Sequence, residues 1–230
     1  MMNEVPQLQA LVEKFKVPVI EHKPDGTPVT LLDEALSKHI EQVCLQHYSH
    51  LTFYSEEKFS KWEFPLMALD PLDGTREYIL GRPEWAISIG LFEDEKFHGE
   101  GWVFNPLTHE CFADVTRISF TAKAAYSGEV SHSEWNNGLY HEKTTPKFQV
   151  KPVGSIAYKL GRLSAGKCDF VISLRPKNIW DIAGGTILCQ QAGMKFYAEG
   201  VEVNEVLQSY EPPLIWCHEE LFSELSALFP

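Results

Sequence analysis

Two carboxylates, Asp70 and Asp73, stand three residues apart in the stretch Ala68-Leu69-Asp70-Pro71-Leu72-Asp73-Gly74-Thr75. On a turn stiffened by Pro71, Asp-x-x-Asp offers hard oxygen ligands at a spacing that suits Mg²⁺. That ion keeps several waters and completes its shell with substrate phosphate. The Leu72 carbonyl falls on the same side of the turn. Gly74-Thr75 then reads as a helix start, where backbone N–H groups point at an anion. One short segment can therefore hold a cation and a phosphate side by side. The alternative is an ordinary Asp-rich turn, because Asp-Pro and Asp-Gly are both common turn dipeptides. Three further acids could join it. Glu56, in Ser55-Glu56-Glu57, ends a strand-like run, while Asp181 after Trp180 and Asp33 after Val29-Thr30 sit at helix starts. Each has a bland role by itself, as a solvated strand end or a helix cap.

Placing these residues together is the task of the surrounding elements. The pattern predicts helices over 6–16 and from about Asp33 to His47, with Ala35, Leu36, Ile40, Val43 and Cys44 near one stripe. Lys23-Pro24-Asp25-Gly26-Thr27-Pro28 is turn chemistry throughout. A strand over 51–55 leads into Glu56, the segment 58–64 reads as an exposed loop, and a short buried strand over 65–69 delivers Asp70. Residues 86–92, 101–104 and 110–113 read as an antiparallel meander. The polar segment 128–147 reads as loop and is expected to line the mouth of a site. Beyond it, strands over 148–153, 169–173 and 214–217 alternate with helices over 155–165, 180–192 and 219–228. Ser155 is the expected cap of the first of these helices and Gly166 its stop. The fold class is therefore α/β. An α+β half, residues 1–118, carries most of the acids, and an α/β half, residues 119–230, carries Asp181.

Bulk properties narrow the function. The 230 residues suit one large domain or two small ones. The net charge of -12, from 32 acidic and 20 basic residues, speaks against a nucleic-acid partner, which needs a clustered basic face. No apolar run approaches the roughly 20 residues of a membrane span. The N-terminus has no signal-peptide core, and Cys44, Cys111, Cys168, Cys189 and Cys217 are scattered without metal spacing. Free thiols in a reducing cytoplasm are the expectation.

In order along the chain, Pro28-Val29-Thr30-Leu31-Leu32-Asp33, Ser55-Glu56-Glu57, Asp70-Pro71-Leu72-Asp73-Gly74-Thr75, Val153-Gly154-Ser155 and Trp180-Asp181-Ile182-Ala183-Gly184-Gly185 resemble the motifs of the inositol monophosphatase superfamily, Mg²⁺-dependent and lithium-sensitive phosphomonoesterases. The resemblance implies a layered αβαβα sandwich of the inositol monophosphatase and sugar phosphatase type. It implies two or three Mg²⁺ ions per site, with inhibition by Li⁺. Glu56, Asp70 and the Leu72 carbonyl would bind one ion, and Asp70, Asp73 and Asp181 a second. Gly74 and Thr75 N–H groups would hold the phosphate. Asp33 and Thr75, with Glu56, would activate the attacking water, in the manner of a two-metal clamp. A homodimer is compatible with the resemblance, although the segment before Lys23 is shorter than the family's usual N-terminal helix.

The flanks of the signature suggest a subgroup. Thr75-Arg76-Glu77-Tyr78-Ile79, Ser55-Glu56-Glu57 and Asn178-Ile179-Trp180-Asp181 resemble bacterial 3'(2'),5'-bisphosphate nucleotidases, which convert adenosine 3',5'-bisphosphate to AMP. Inositol phosphatases carry a ring-contacting glutamate seven residues before the Trp-Asp aspartate, and Leu174 stands there here. Arg175, Lys177 and Lys159 are candidates to grip a second phosphate. The alternatives are an inositol-1-monophosphatase, a broad sugar-phosphate phosphatase, or a non-catalytic regulatory member of the fold. Intact Glu56, Asp70, Asp73, Asp181, Asp33 and Thr75 speak against the last.

Overall fold

A computed structural model describes residues 2–22, 28–57 and 61–230. The turn expected over 23–27 and the first part of the loop at 58–64 lie outside the described residues. Helices α1 (Val5–Lys14) and α2 (Leu31–His47) pack their apolar stripes on one face of a first sheet. That sheet is ordered β3 (Thr52–Ser55), β4 (Leu66–Asp73), β5 (Ala86–Phe92), β6 (Gly99–Asn105), β7 (Glu110–Phe112). Only β3 and β4 run parallel; the rest is the antiparallel meander read from the alternation. A short hairpin of β1 (Ile20–His22) and β2 (Pro28–Thr30) leads into α2.

Helices α5 (Ile156–Ser164) and α6 (Ile179–Gln191) fill the middle layer. Beyond them lies a second sheet, ordered β13 (Val201–Glu202), β12 (Lys195–Ala198), β15 (Leu214–Cys217), β10 (Phe170–Ser173), β8 (Tyr126–Val130), β9 (Phe148–Pro152). Its outer face is covered by α7 (Glu219–Leu228), through Leu221 and Leu225. The layers alternate α, β, α, β, α. Residue 118, the expected division, falls between β7 and β8. One core nevertheless joins Leu66, Ala68 and Phe92 of the first sheet to Ile182, Phe196 and Trp216.

The structure corrects the reading of 128–147 as loop. It contains most of β8, which lies inside the second sheet, and α4 (His132–Asn136). The polar look of β8 comes from Glu129, which is fully buried and neutralised by Arg162 at 3.0 Å and Lys151 at 3.3 Å. A small ladder of β11 (Lys177–Asn178) with β14 (Ser209–Tyr210) anchors the approach to α6.

Close packing sets the position of α6. A Cβ on Gly184 would come within 2.6 Å of the Ile89 carbonyl oxygen and 2.7 Å of that of Trp102. On the opposite side, a Cβ on Gly185 would meet Leu160 of α5 at 2.4 Å. The Gly184-Gly185 pair thus lets α6 lie against the backbone of β5 and β6. Asp181, in its first turn, is thereby carried to the end of β4. No helix among the described residues is long and apolar enough to cross a membrane. All five cysteines are unbridged.

Candidate active site

The Asp-Pro-Leu-Asp segment is strand rather than turn. β4 does not stop at Leu69 but continues to Asp73, with a bulge. Asp70 pairs with Ser88 and Asp73 with Ala86, so three steps on β4 match two on β5. A bulge is where a sheet tolerates proline, and the extra residue re-aims the side chains around it. Gly74 follows at φ +98°, left-handed backbone that favours glycine. A Cβ there would also crowd Trp85 Cβ at 3.1 Å and Ser155 Cβ at 3.2 Å. The sharp exit starts α3 (Thr75–Ile79).

Asp33 and Asp181 share a role that differs from the expected helix cap. Thr30 and Asn178 are the caps, and the aspartates occupy the third helical position of reciprocal capping boxes. Oδ2 of Asp33 accepts from the Thr30 N–H at 2.8 Å, and Oδ2 of Asp181 from the Asn178 N–H at 3.1 Å. Asp70 and Asp73 follow the same rule. Oδ1 of Asp70 accepts from the Leu72 N–H at 2.9 Å. Oδ2 of Asp73 accepts from the Ala157 N–H at 2.6 Å and from the Ser155 hydroxyl. Each aspartate commits one oxygen to the backbone, which fixes its direction, and has the other for the site. Asp33 Oδ1 accepts from Thr75 Oγ1 at 3.1 Å, and that hydroxyl also lies 3.2 Å from the Leu72 carbonyl.

Asp70, Asp73 and Asp181 each bring one carboxylate oxygen within 4.8 Å of the others'. Asp70 is only 2% exposed. Burial, then the charges of Glu56, Asp73 and Asp181, hold its carboxyl well above the usual range. Asp181 is pushed up to about 7 by burial and by Asp73 and Glu56, against the pull of Lys177. Asp73 is raised by burial, although Ser155, Ala157, Lys159 and Lys177 all oppose the rise. Asp33 is raised to about 6, again chiefly by burial. Carboxylates gathered this closely hold their charge only with cations among them. The donor set is all oxygen, as hard divalent cations require. Ser88, across the ladder from Asp70, has a fully buried hydroxyl with no hydrogen-bond partner among the described residues. These features fit a divalent cation.

The cluster opens into a cleft of about 260 Å³ whose walls include Asp73, Gly74, Asp181, Ser155 and His132. The same cleft is walled by Arg76, Arg82, Lys159, Arg175 and Lys177, so carboxylates and cations line one cavity. Of the cations read from sequence, Arg175 is exposed at the rim and Lys177 is half-buried beside the aspartates. Lys159 is no surface cation. It is 1% exposed, its Nζ donates to the carbonyls of Val153 at 3.0 Å and Ser155 at 2.9 Å, and burial lowers its pKa to about 8. Sequence reasoning missed Arg82, Glu84 and His132. They lie in loops and at a short helix start that only the fold brings together, and no motif marks them. Ser155 was visible only as a cap, and it caps as expected, accepting from the Tyr158 N–H at 2.9 Å.

Comparison with protein families matches residues 8–127 to the inositol monophosphatase family. The chain belongs to that family. Inositol monophosphatase 3 of Solanum lycopersicum is 28% identical over 207 residues, 78% of this chain and 76% of the relative. Among solved structures, an inositol monophosphatase of Thermotoga maritima superposes with a TM-score of 0.82 at 22% identity, covering 96% of this chain and 92% of its own. An inositol monophosphatase/NADP phosphatase complexed with Mg²⁺ and phosphate superposes with a TM-score of 0.77 at 15% identity, covering 98% and 93%. As an inositol monophosphatase family member, this protein is a metal-dependent phosphatase of small phosphorylated substrates, with the family's layered fold.

Proposed function

We propose that this phosphatase uses Mg²⁺ to hydrolyse a phosphomonoester whose small organic part carries a second anionic group, with adenosine 3',5'-bisphosphate as the first candidate. The observation that carries the reading is a cleft that joins the carboxylate cluster to several cationic side chains. Asp73 and Asp181, clustered with Asp70, line it together with Arg76, Arg175 and Lys177. Glu56, Asp70, the Leu72 carbonyl, Asp73 and Asp181 would hold the cations. When bound, Mg²⁺ would supply the positive charge that polarises a water and offsets charge on the phosphoryl oxygens.

The remaining work belongs to the chain. Gly74 and Thr75 N–H groups at the start of α3 would orient the phosphoryl group. Thr75 Oγ1, tied to Asp33, would accept the proton of the attacking water as its own proton passes to the carboxylate. Guanidinium groups of Arg76 and Arg175 would grip the second anion in a bidentate way, with Lys177 as a point charge beside the aspartates. Lys159 would support the cleft from beneath.

A second reading, an inositol-1-monophosphatase or a broad sugar-phosphate phosphatase, is favoured by the names of the curated relatives. Phosphate release from adenosine 3',5'-bisphosphate, inositol-1-phosphate and fructose-1,6-bisphosphate at equal concentration tells them apart. The bisphosphorylated nucleotide is expected to lead. A tenfold lead for inositol-1-phosphate, about 1.4 kcal/mol of transition-state binding, overturns the ranking. Li⁺ in the same assay is expected to inhibit.

A further inference from the structure

Glu84 has no part in the reading above, yet it ties the cleft wall to the metal cluster. Its Oε2 accepts from Nε2 of His132 at 2.6 Å and from the Gly154 N–H at 2.8 Å. Burial raises the Glu84 carboxyl, but those two hydrogen bonds and the charges of His132 and Lys159 outweigh it and hold the group below its ordinary value. Gly154 has no room for a side chain, since a Cβ would lie 2.5 Å from Glu77 Cγ and 2.6 Å from the Glu84 carbonyl. Ser155, next in the chain, sits at φ +51°, a region that residues with a Cβ seldom adopt. Such backbone persists where its surroundings over-determine it. The Ser155 hydroxyl and the Ala157 N–H are the groups that grip Oδ2 of Asp73. Contacts therefore run without a break from His132 through Glu84, Gly154 and Ser155 to Asp73.

Glu77, Glu84 and His132 also bring potential ligand atoms within 4.8 Å of one another. Here the donors are already present. Arg82 pairs with Glu77 at 2.8 Å, and Glu84 holds His132 and Gly154. This corner is a strut rather than a second cation site.

We propose that Glu84 is a positioning residue for the metal centre. By holding the Gly154 N–H, it fixes the strained Gly154-Ser155 backbone so that the first turn of α5 meets Asp73 and turns its other oxygen to the cation. This rests on the reading that Asp73 ligates the metal. Mg²⁺ titration of the whole protein by calorimetry, paired with the Mg²⁺ dependence of phosphate release, tests it.

Glu84→Ala is expected to weaken Mg²⁺ binding about tenfold, or about 1.4 kcal/mol, while KM for the ester at saturating Mg²⁺ stays within about twofold. Glu84→Gln is expected to restore most of the affinity, because the amide oxygen still accepts from Gly154. Glu84→Asp withdraws the carboxylate by one methylene with less risk to folding, and an intermediate loss is expected. In a Ser155→Gly background, which removes both the strain and the hydroxyl, Glu84→Ala should cost markedly less, because coupled residues are non-additive. Unchanged Mg²⁺ affinity in Glu84→Ala or Glu84→Asp overturns the proposal, as does a full tenfold loss in the Ser155→Gly background. A wild-type protein that binds no Mg²⁺ overturns the metal reading itself, and the positioning role with it.

Discussion

At the scale of single residues, Asp73 is the most informative position because its two oxygens do different things. Oδ2 is held by Ser155 and Ala157, and an asparagine oxygen could still accept from both. What Asp73→Asn removes is the charge and the oxygen turned to the cation, whose place the amide nitrogen takes. Phosphate release is therefore expected to fall by about 1,000-fold or more, ~4 kcal/mol in the barrier, while the circular dichroism spectrum stays near wild type. Full activity in that variant, or in EDTA, would remove Asp73 from the mechanism. Asp33 makes a second prediction. Its pKa near 6 places it as a proton acceptor above that pH and a neutral acid below. The kcat/KM profile should lose activity on the acid side with a midpoint at about 6, and Thr75→Ala should depress the plateau. A flat profile from pH 5 to 8 would exclude Asp33 as the base. Asp33, Asp70, Asp73 and Asp181 were legible because short motifs carry them. Glu84 and His132 were not, since their contact spans 48 positions of sequence and exists only in the fold.

At the scale of elements, α6 shows how a backbone approach becomes a chemical position. Gly184 stands between the carbonyls of Ile89 and Trp102, and the helix cannot lie so close with a methyl group there. Gly184→Ala is expected to cost about 1–3 kcal/mol, the usual range for overpacking, read as a lowered urea midpoint. It should also weaken Mg²⁺ binding, because α6 carries Asp181 outward as it shifts. A variant with wild-type stability and metal affinity would show that α6 can retreat without cost. The elements recovered from sequence include the 86–112 meander, helices α1, α2, α5, α6 and α7, and strands β3, β9, β10 and β15, whose apolar periods or runs are clean. β8 was lost because the charge of Glu129 hides its burial, and only Arg162 and Lys151, brought in by the fold, make that burial tolerable. The bulge in β4 was read as a turn because Asp-Pro and Asp-Gly are turn dipeptides; strand pairing with β5 overrides that local preference.

At the scale of the whole molecule, the site sets how stability depends on pH. Asp33 near 6, Asp181 near 7 and Asp70 well above its ordinary value all titrate higher in the fold than the roughly 3.9 of an unfolded aspartate. Between those values the folded state binds more protons than the unfolded state. Linkage then makes stability fall as pH rises, by an amount of order a few kcal/mol. The stabilisation is full below about pH 4 at these groups and is lost as pH rises through about 6 and 7. In EDTA, the melting midpoint is expected to drop from pH 5 to pH 8. Added Mg²⁺ should restore it, and more at pH 8 than at pH 5, since only ionised carboxylates bind the cation. The net charge of -12 also strengthens general repulsion as pH rises, so a falling midpoint alone does not isolate the site. Asp181→Asn separates the two contributions. It removes a single charge from the overall sum but one of three clustered carboxylates from the site, and should flatten the pH dependence in EDTA and abolish most of the Mg²⁺ rescue. A slope as steep as wild type in that variant would assign the effect to the surface and not to the cluster.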